Sequence, residues 1–506
     1  MMALIVFLFI LVGCAEPEET HAATYYVDFV SGDDNNNGTS TSTPWKRVRG
    51  MTNAAGSAAS AAITDSDTVV FKGGVTWTDS FPWSLRTGTA QSVVYTVDTT
   101  WYAGASFTLP VFDRQAGGNL ITATSGSGYF TLNQLRFVAC GTPLTEASAR
   151  CLEFTNPHHV TITNNIFECD CSISIYMAFT SANTYSDFIV TGNEATRTSS
   201  LWWAGITSNN TIVDQITLSG NVIHDFSAQI GDDGDGTGIH SDGFWHGYLA
   251  TPSTTTGSYF DNITFCNNRS YGDFRRGFGT NGGVTAMFFQ EGGMHTALIC
   301  NNVFTFWPAQ ANTFDGLVIL QGENNQSPGP VYVINNTFYD PPGANSMSQA
   351  FNIESGMENV TLKNNMFVGM NYPVWIEQAG GIASFVADYN MYHTWSNLVW
   401  GTVSNFKTWA QWQALGFDVH GTNGGSTGFM DDSVSPFNLD IDLTSSAFRA
   451  GQNLSNLGRA ELATDYAHML RGSVWDIGAY TAESFGGMDL GSLDGNIGME
   501  LQITQR

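Results

Sequence analysis

A short apolar run that ends in asparagine recurs along the middle of the chain. In each case a β-branched or apolar segment alternates in polarity, an asparagine follows, and a bulky apolar residue usually stands two places further on. The asparagines concerned are Asn165, Asn193, Asn221, Asn268, Asn302, Asn336, Asn365 and Asn390. A period of this length is typical of solenoids, in which one unit cannot bury its apolar face alone and must stack on a neighbour.

The alternation predicts the kind of solenoid. Strand-like runs with no helical period between them favour an all-β chain wound as a parallel β-helix. Asparagines at the same corner of successive rungs are expected to form a ladder of side-chain amides. The bulky residues that follow them are expected to stack inside the coil, namely Phe167, Ile223, Phe304, Phe338, Phe367 and Tyr392.

The spacing also predicts the domain organisation. The β-helix is assigned to residues 24–395, with an insertion near 230–258 because the interval from Asn221 to Asn268 is the longest. Insertions on solenoids often mark the binding face. Residues 396–482 are assigned to C-terminal rungs or a cap, in which Trp400, Trp409 and Trp412 pack over the end. Residues 483–506 are Gly-rich and are predicted to be a flexible tail.

The N-terminus indicates export. Residues 1–13 are apolar but too short to span a bilayer, so residues 1–23 are predicted to be a signal peptide. The run from Leu11 to Cys14 resembles a bacterial lipobox, which would place a lipidated Cys14 at a membrane surface. The alternative is ordinary cleavage near His21-Ala22-Ala23. A cell-surface lipoprotein and a freely secreted protein are both consistent with these residues.

The charge of the chain bears on its partners, and the positions of its cysteines bear on disulfide pairing. The net charge of −27 argues against nucleic acid as a partner, whereas acidity suits calcium sites. Cys266 and Cys300 occupy the same place in successive phrases. Stacked strands lie about 4.8 Å apart, so these two could form a disulfide or remain an unbonded inward stack. Cys140 and Cys151 bracket a short loop and could pair. A monomer is expected.

Both ends of the chain carry family-like phrases. They are the run from Tyr25 to Ser40 (YYVDFVSGDDNNNGTS), the run from Asp67 to Trp77 (DTVVFKGGVTW) and the run from Trp475 to Tyr480 (WDIGAY). Together they resemble the opening and closing segments of secreted bacterial right-handed parallel β-helix proteins of the pectate-lyase-like superfamily. The resemblance implies a capped right-handed β-helix that acts on carbohydrate. The superfamily contains lyases, hydrolases, epimerases, phage depolymerases and proteins without known enzymatic function, so the reaction stays open.

The insertion holds the densest group of polar residues. If Ile239 begins a strand with its side chain inside, period two places Ser241, Gly243 and Trp245 inward. The outward positions are then His240, Asp242, Phe244 and His246. Imidazoles beside a carboxylate suit general acid and base catalysis near neutral pH. The alternative is a solvated turn whose histidines only make surface hydrogen bonds. The candidate calcium ligands in the same insertion are Asp232, Asp233 and Asp235.

The following rungs predict a saccharide groove. Aligning them places Phe289, Leu320, Ile353 and Ile376 inside the coil. An outward polar column would then contain Gln290, Gln321, Glu354 and Glu377. On the same side Phe288, Trp375 and, from the insertion, Phe244 could contact sugar rings. The nearby charged candidates are Asp273, Arg275, Arg276 and Glu291, and an arginine could bind the carboxylate of an acidic sugar.

The residues leave the reaction undecided between two chemistries. Elimination on an acidic polysaccharide would use an arginine or histidine as base, with calcium on the aspartate loop. Hydrolysis would use a carboxylate pair drawn from Asp242, Asp273, Glu291 and Glu354. The catalytic motifs of polygalacturonases and pectate lyases are missing, and no fingerprint of an organic cofactor is present. The alternative to an enzyme is a non-catalytic surface or adhesive β-helix that binds glycans.

Overall fold

Three ladders of parallel strands wind around one apolar interior. The computed structural model describes residues 22–115, 118–138, 150–225, 241–248, 257–272, 284–290, 293–305, 316–321, 329–342, 349–355, 357, 359–377, 384–402 and 404–482. Successive rungs pair strand to strand in parallel register, as in Val160 with Phe188 and Phe188 with Ile216. The chain is therefore a right-handed parallel β-helix, as predicted.

The first ladder ends at the asparagine corner of each rung. Its strands are Thr24–Val27, Thr68–Gly73, Val93–Tyr102, Gly128–Asn133, His158–Thr163, Thr184–Thr191, Ile212–Ser219, Ile263–Cys266, Ala297–Cys300, Val331–Ile334, Val360–Lys363 and Phe385–Asp388. The short strands Tyr259–Phe260 and Gly293–Met294 pair beside it.

The second ladder follows the corner and consists of short strands. They are Thr76–Trp77, Val111–Asp113, Arg136–Val138, the first residues of Ile166–Phe179 and Glu194–Ile206, then Val222–His224, Arg269–Tyr271, Val303–Thr305, Thr337–Tyr339, Met366–Val368, Met391–His393 and Thr422–Asn423.

The third ladder completes each rung. Its strands are Trp83–Ser84, Ile121–Thr122, Arg150–Thr155, the later residues of Ile166–Phe179 and Glu194–Ile206, then Ser241–Tyr248, Val284–Gln290, Gly316–Gln321, Gln349–Ser355, Tyr372–Ile376 and Leu398–Trp400. The remaining elements are the helices Gly56–Ser60 and Trp409–Ala414, the 3-10 turns Ser455–Leu457 and Ala460–Leu462, the antiparallel pair Phe429–Asp431 and Asn438–Ile441, and the edge strand Phe406–Lys407.

The predicted asparagine ladder is confirmed. Each side-chain nitrogen from Asn165 to Asn365 donates to the amide oxygen of the next asparagine at 2.8–3.1 Å. Each also donates to a carbonyl of the preceding rung, as Asn302 does to Phe265. Asp418 ends the ladder by accepting from Asn390. All these amides are buried, so the ladder satisfies backbone groups that the corner would otherwise leave unpaired.

The residue before each ladder asparagine explains the recurring Asn-Asn and Gly-Asn pairs. These residues have positive φ, for example 57° at Asn164 and 66° at Gly192. Glycine and asparagine are the residues that adopt this left-handed conformation most readily. The first residue of each pair therefore turns the chain, and the second forms the ladder.

The predicted interior stack is also confirmed. Phe304, Phe338, Phe367 and Tyr392 lie one above another with ring centroids 5.0–5.3 Å apart, and all are buried. Phe167 stacks on Phe137 in the same way, 5.1 Å away. This stack runs along the corner between the first and second ladders and contributes to one continuous core.

The C-terminal end is closed by tryptophans, as the sequence predicted. Trp412, in the helix that begins after the capping box of Thr408 and Gln411, is fully buried. Its ring lies 4.7 Å from that of Phe417, and its indole nitrogen donates to Asp418 at 2.8 Å. Trp400 and Trp409 are partly buried against the same core.

Residues 429–482, here called the C-terminal arm, fold back along the outside of the coil. The outward first asparagines of the corners bind it: Asn301 donates to the carbonyl of Thr464 at 2.9 Å, and Asn335 donates to that of Asp476 at 2.9 Å. Cys266 and Cys300 form a disulfide beneath the arm, beside Leu454 and Trp475. They are bonded and face the arm, so the alternative of an unbonded inward stack is wrong.

Two remaining predictions concern other parts of the chain. Cys140 lies outside the described residues, and the Sγ of Cys151 lies 3.1 Å from that of Cys169. Residues 1–21 and 483–506 also lie outside the described part, so the signal peptide and the tail stay predictions. No helix within the described ranges is long and apolar enough to cross a membrane.

Candidate functional site

The exterior of the third ladder, here called the outer face, is the candidate site. Each strand places two residues inside, such as Trp202 and Ala204 or Met287 and Phe289, and the residue between them outside. The register aligns these middle positions into a central column: Glu153, Tyr176, Trp203, Trp245, Phe288, Ile319, Asn352 and Trp375.

Two further columns flank the central one. The upstream column lies three residues earlier in each strand and contains Arg150, Ile173, Ser200, Asp242, Thr285, Gly316, Gln349 and Tyr372. The alternation is interrupted between this column and the central one, where two consecutive residues such as Leu201 and Trp202 both belong to the core. The downstream column lies two residues later and contains Thr155, Ala178, Gly205, Gly247, Gln290, Gln321, Glu354 and Glu377. The register shifts after Leu320, so that Gln321 pairs with Ser355 and Glu354 lies at the irregularity. These columns contain seven of the predicted site residues, namely Asp242, Phe288, Gln290, Gln321, Glu354, Trp375 and Glu377. Asp242 lies in the upstream column, although it was predicted to continue the column of Gln290, Gln321, Glu354 and Glu377.

The inward half of that alignment is confirmed. Phe289, Leu320, Ile353 and Ile376 pair in register and are all buried in the core. The residues that follow them in the sequence are Gln290, Gln321, Glu354 and Glu377. Glu377 is half-buried, and its Oε1 accepts a hydrogen bond from the indole nitrogen of Trp375 at 2.9 Å. The side chains of Phe288, Gln290, Gln321 and Glu354 lie outside the described part.

The predicted outward positions of Phe244 and His246 are wrong. Both point into the core: Phe244 meets Phe265 edge to face at 4.7 Å, and the ring of His246 stacks on Phe289 at 5.7 Å. Trp245, predicted to be inward, lies outside and stacks on Trp203. The prediction counted the alternation of inward and outward residues from Ile239. In the observed strand, Ser241–Tyr248, the residues at 244–246 face the opposite way from that count, because a shift of one residue exchanges the two faces.

The core position deprives His246 of a catalytic role at the surface. Its Nε2 accepts a hydrogen bond from the indole nitrogen of Trp202 at 3.1 Å, and its Nδ1 is buried with no hydrogen-bond partner among the described residues. Burial lowers the pKa of His246 from its ordinary 6.5 to about 3. The imidazole is therefore neutral across the physiological range and is out of reach of a ligand on the outer face.

The other predicted site residues are only partly described. His240, Asp273 and Glu291 lie outside the described residues, as do Arg275 and Arg276 and the candidate calcium ligands Asp232, Asp233 and Asp235. The backbone of Asp242 belongs to the strand Ser241–Tyr248, but its side chain is not among those described. In the described part of the chain, no group of three or more His, Cys, Asp or Glu could hold a metal ion.

The middle of the central column is an apolar ladder that the sequence reasoning missed. The rings of Trp203 and Trp245 stack 4.2 Å apart at 17°, and Ile319 packs with them in a cluster separate from the core. Trp245 and Ile319 are both 3% exposed. The signal in the sequence was the pair Trp202-Trp203. When Trp202 faces the interior of the coil, the alternation of the strand places Trp203 outside.

The C-terminal end of the outer face contains unpaired amide groups. Asn352 and Gln349 are each 3% exposed, and the amide oxygens of both are buried without a hydrogen-bond partner among the described residues. In the next rung Tyr372 meets Trp375 edge to face at 4.9 Å. A buried polar group without a partner costs about 1–3 kcal/mol, so a donor that reached these two oxygens would stabilise the rung.

The N-terminal end of the outer face is charged. The guanidinium of Arg150 lies 3.5 Å above the ring of Tyr176, and Arg150 and Glu153 form an ion pair. Asn119 donates to the second carboxylate oxygen of Glu153. Burial is the main cause of a raised pKa for Tyr176, so its hydroxyl stays protonated at neutral pH. Arg150 is thus already neutralised by a carboxylate of its own strand.

A histidine beside the outer face is held by two carboxylates. On the second ladder, the Nε2 of His224 lies 3.0 Å from Glu194 and its Nδ1 lies 2.9 Å from Asp225. Its ring stacks on Tyr271 at 4.9 Å. Because both nitrogens are engaged, the two carboxylates fix the orientation of this imidazole.

Comparisons with known proteins add little at the level of sequence. No family model and no curated protein matches the chain. Similar solved structures include a rhamnogalacturonan lyase, with 11% identity, a TM-score of 0.44, and 87% of this chain and 99% of that one covered. Pectate lyase Pel9A shows 16% identity and a TM-score of 0.40 over 92% and 98%. A GH136 lacto-N-biosidase from Eubacterium ramulus shows 13% and 0.35 over 67% of each chain.

These likenesses are too remote to carry an activity, and the architecture rests on the observed topology. The chain has three parallel ladders, a buried asparagine ladder at one corner and a closing segment bound along the outside. The protein has the right-handed parallel β-helix fold.

Proposed function

We propose that the protein is a carbohydrate-active enzyme that cleaves a polysaccharide lying along the outer face. The observation that supports the proposal is the pair of buried amide oxygens on Asn352 and Gln349, which have no hydrogen-bond partner among the described residues and lie beside Trp375 and Glu377. A saccharide offers hydroxyl donors around its edge and an apolar face. It could therefore satisfy the amides and contact the aromatic residues together.

The geometry of the columns suits a linear ligand. Neighbouring strands repeat about every 4.8 Å, so a chain lying along the coil would meet the same three register positions at each rung. The downstream column changes from small residues at Gly205 and Gly247 to polar residues from Gln290 to Glu377. We place the reacting bond in the polar half for this reason.

Hydrolysis fits the residues of that half better than elimination. Glu354 follows Ile353 within the strand Gln349–Ser355, and Glu377 directly follows the neighbouring strand Tyr372–Ile376. The backbone N–H of Glu377 donates to the carbonyl of Ile353 at 3.0 Å, so the backbones of the two glutamates are neighbours. Retaining glycoside hydrolases use two carboxyl groups about 5–5.5 Å apart, one as nucleophile and one as acid and base. We assign these roles to the Glu354–Glu377 pair, with the indole of Trp375 positioning Glu377.

Elimination would need a cation beside the acidic sugar. Arg150 is the only lysine or arginine in the three columns, and its ion pair with Glu153 neutralises it. It also lies at the opposite end from Glu377, about 34 Å away at about 4.8 Å per strand. A lyase reaction would therefore depend on Arg275, Arg276 and calcium at Asp232, Asp233 and Asp235, which stay predictions.

A second candidate is glycan binding without cleavage. The stacked and nearly buried pair of Trp203 and Trp245 favours it, because stable packing on the outer face can serve a surface protein equally well. Export, through either Cys14 lipidation or plain secretion, is part of both candidates. Both also take the protein as a monomer and polysaccharide as the partner.

A digestion screen distinguishes the candidates. The chain from Thr24 onward would be incubated with neutral and acidic polysaccharides, with calcium or with a chelator. Reducing ends and the ultraviolet absorbance of unsaturated sugars would be followed together. We expect reducing ends without absorbance, and loss of at least a hundredfold in rate for Glu354→Gln and Glu377→Gln but not for the matched control Glu153→Gln. Rising absorbance would show a lyase, and binding without products would favour the non-catalytic candidate.

A further inference from the structure

A cavity lies in the C-terminal arm, separate from the outer face. It has a volume of about 400 Å³ and opens between the hairpin strand Asn438–Ile441 and the loop around Asp465. A cavity of this size is within the range of about 300–1,000 Å³ found for small-molecule sites. No residue of the three columns lines it.

The lining combines apolar side chains with carboxylates. Met430, Leu443 and Met469 provide flexible apolar surface, and the carboxylates are those of Asp440, Asp442 and Asp465. None of the described residues that line the cavity is a lysine, arginine or histidine. An apolar wall with one sign of charge favours a ligand that has an apolar body and the opposite charge.

The apolar residues at the entrance are unusually open to solvent. Met430 is 53% exposed, Met469 is 49% exposed and Leu443 is 47% exposed. Leu470, which follows Met469, is 79% exposed. Large apolar side chains that gather at one opening are typical of an interaction site, whereas scattered ones are ordinary.

The polar groups of the cavity are held in place. The backbone and hydroxyl of Thr444 both donate to Asp442, which lowers the pKa of that carboxyl and keeps it ionised. Asp465 accepts backbone hydrogen bonds from Met469 at 2.8 Å and from Thr481 at 2.7 Å. The hydroxyl oxygen of Thr481 is buried and has no hydrogen-bond partner among the described residues. The cavity therefore offers fixed negative charge and an unused hydroxyl.

Charge excludes the nearest alternative occupants. The tail at 483–506 has four acidic residues and one basic residue, Arg506, so it would be repelled by the carboxylates. A second copy of the chain carries a net charge of −27 and is disfavoured for the same reason.

We propose that this cavity binds a small organic cation with an apolar body, such as an alkylammonium compound. The ammonium group would lie beside Asp440 and Asp442, and the alkyl chain would pack between Met430, Leu443 and Met469. Asp465 would not take part directly, because it is 1% exposed, both of its oxygens accept backbone hydrogen bonds, and the charge of Arg471 acts on it. The site is independent of the outer face and of any activity there.

Calorimetry with three ligands of the same chain length tests the proposal. Hexylammonium is expected to bind at least tenfold more tightly than hexanol, and hexanoate is expected to bind more weakly than either. The double variant Asp440→Asn and Asp442→Asn should weaken hexylammonium binding at least tenfold and leave hexanol unchanged. Asp431→Asn is the matched control, because Asp431 holds a similar turn through Ser433 on the same hairpin but does not line the cavity.

The same titrations can overturn the proposal. Equal affinities of the parent protein for hexylammonium and hexanol would remove the role of charge. An absence of binding up to the solubility limit of hexylammonium would remove the site. If the double variant does not fold by circular dichroism, the comparison of the three ligands on the parent protein still decides, and Met469→Ala then tests the apolar wall.

Discussion

The buried His246 makes the stability of the fold depend on pH in a defined direction. In the folded protein burial lowers the pKa of His246 from 6.5 to about 3. Above pH 6.5 the imidazole is neutral in both the folded and the unfolded chain, so its full contribution to stability is present. Below pH 6.5 the unfolded chain binds a proton that the folded chain does not, and stability is lost as the pH falls from 6.5 to about 3.

The magnitude follows from the two pKa values. One pH unit corresponds to about 1.4 kcal/mol, so His246 should remove about 2 kcal/mol of unfolding free energy between pH 6.5 and pH 5. His246→Gln keeps an acceptor for the indole of Trp202 and cannot titrate. The variant loses ring contacts with Phe260 and Phe289 at every pH, which lowers its stability by a constant amount.

The assay is urea-induced unfolding of the parent and the variant from pH 7.5 to pH 5. The free-energy difference between them, parent minus variant, should fall by about 2 kcal/mol over this range. His468→Gln, at an exposed histidine, controls for the substitution itself. A difference that does not change with pH would refute the reasoning, since it would mean that His246 is not held neutral in the core.

Three further predictions concern the fold. Asn302→Ala removes the hydrogen-bond partner of the Asn268 backbone N–H and of the Phe265 carbonyl. By the usual cost of unpaired buried groups, the substitution should lower the unfolding free energy by about 2–6 kcal/mol. The exposed control Asn209→Ala should lower it by less than about 0.5 kcal/mol. Replacing Cys266 and Cys300 by alanine opens a loop of 34 residues. The midpoint of thermal unfolding should then fall by an amount equivalent to about 3–4 kcal/mol. An unchanged midpoint would contradict a stabilising role of the disulfide. Trp412→Ala should cost about 3–5 kcal/mol and expose the C-terminal rungs to proteolysis first, and uniform cleavage along the chain would contradict the capping role.

The fold could be predicted from the sequence because a solenoid repeats its constraints. Each corner needs one residue with positive φ and one buried amide, so Asn-Asn or Gly-Asn pairs occur at seven of the eight corners from Asn165 to Asn390. At the eighth corner Tyr389 has the positive φ. The strands after Asn268 also follow one another at similar spacing, which fixed the parity of Phe289 and Ile353 correctly. The alignment could be checked there against several neighbours.

The insertion could not be predicted in the same way. Its strand follows a long irregular interval, so no neighbouring phrase fixed whether Phe244 and His246 or Trp245 faced the core. A strand buried on both faces has no polar side to reveal its parity, and Trp245 is 3% exposed although it lies outside. The amides of Asn352 and Gln349 were missed for another reason: burial without a partner is a property of the packed rungs and leaves no mark in the sequence.

The most direct test of the saccharide site is a single substitution, Asn352→Leu, measured for both stability and binding. Asn352 is buried, and its amide oxygen has no hydrogen-bond partner within the described ranges. An apolar side chain of similar size should therefore leave the unfolding free energy unchanged or raise it by about 1 kcal/mol. The affinity for the polysaccharide found in the digestion screen should fall at least tenfold. Unchanged affinity in a stably folded Asn352→Leu protein would contradict the assignment of the outer face as the saccharide site.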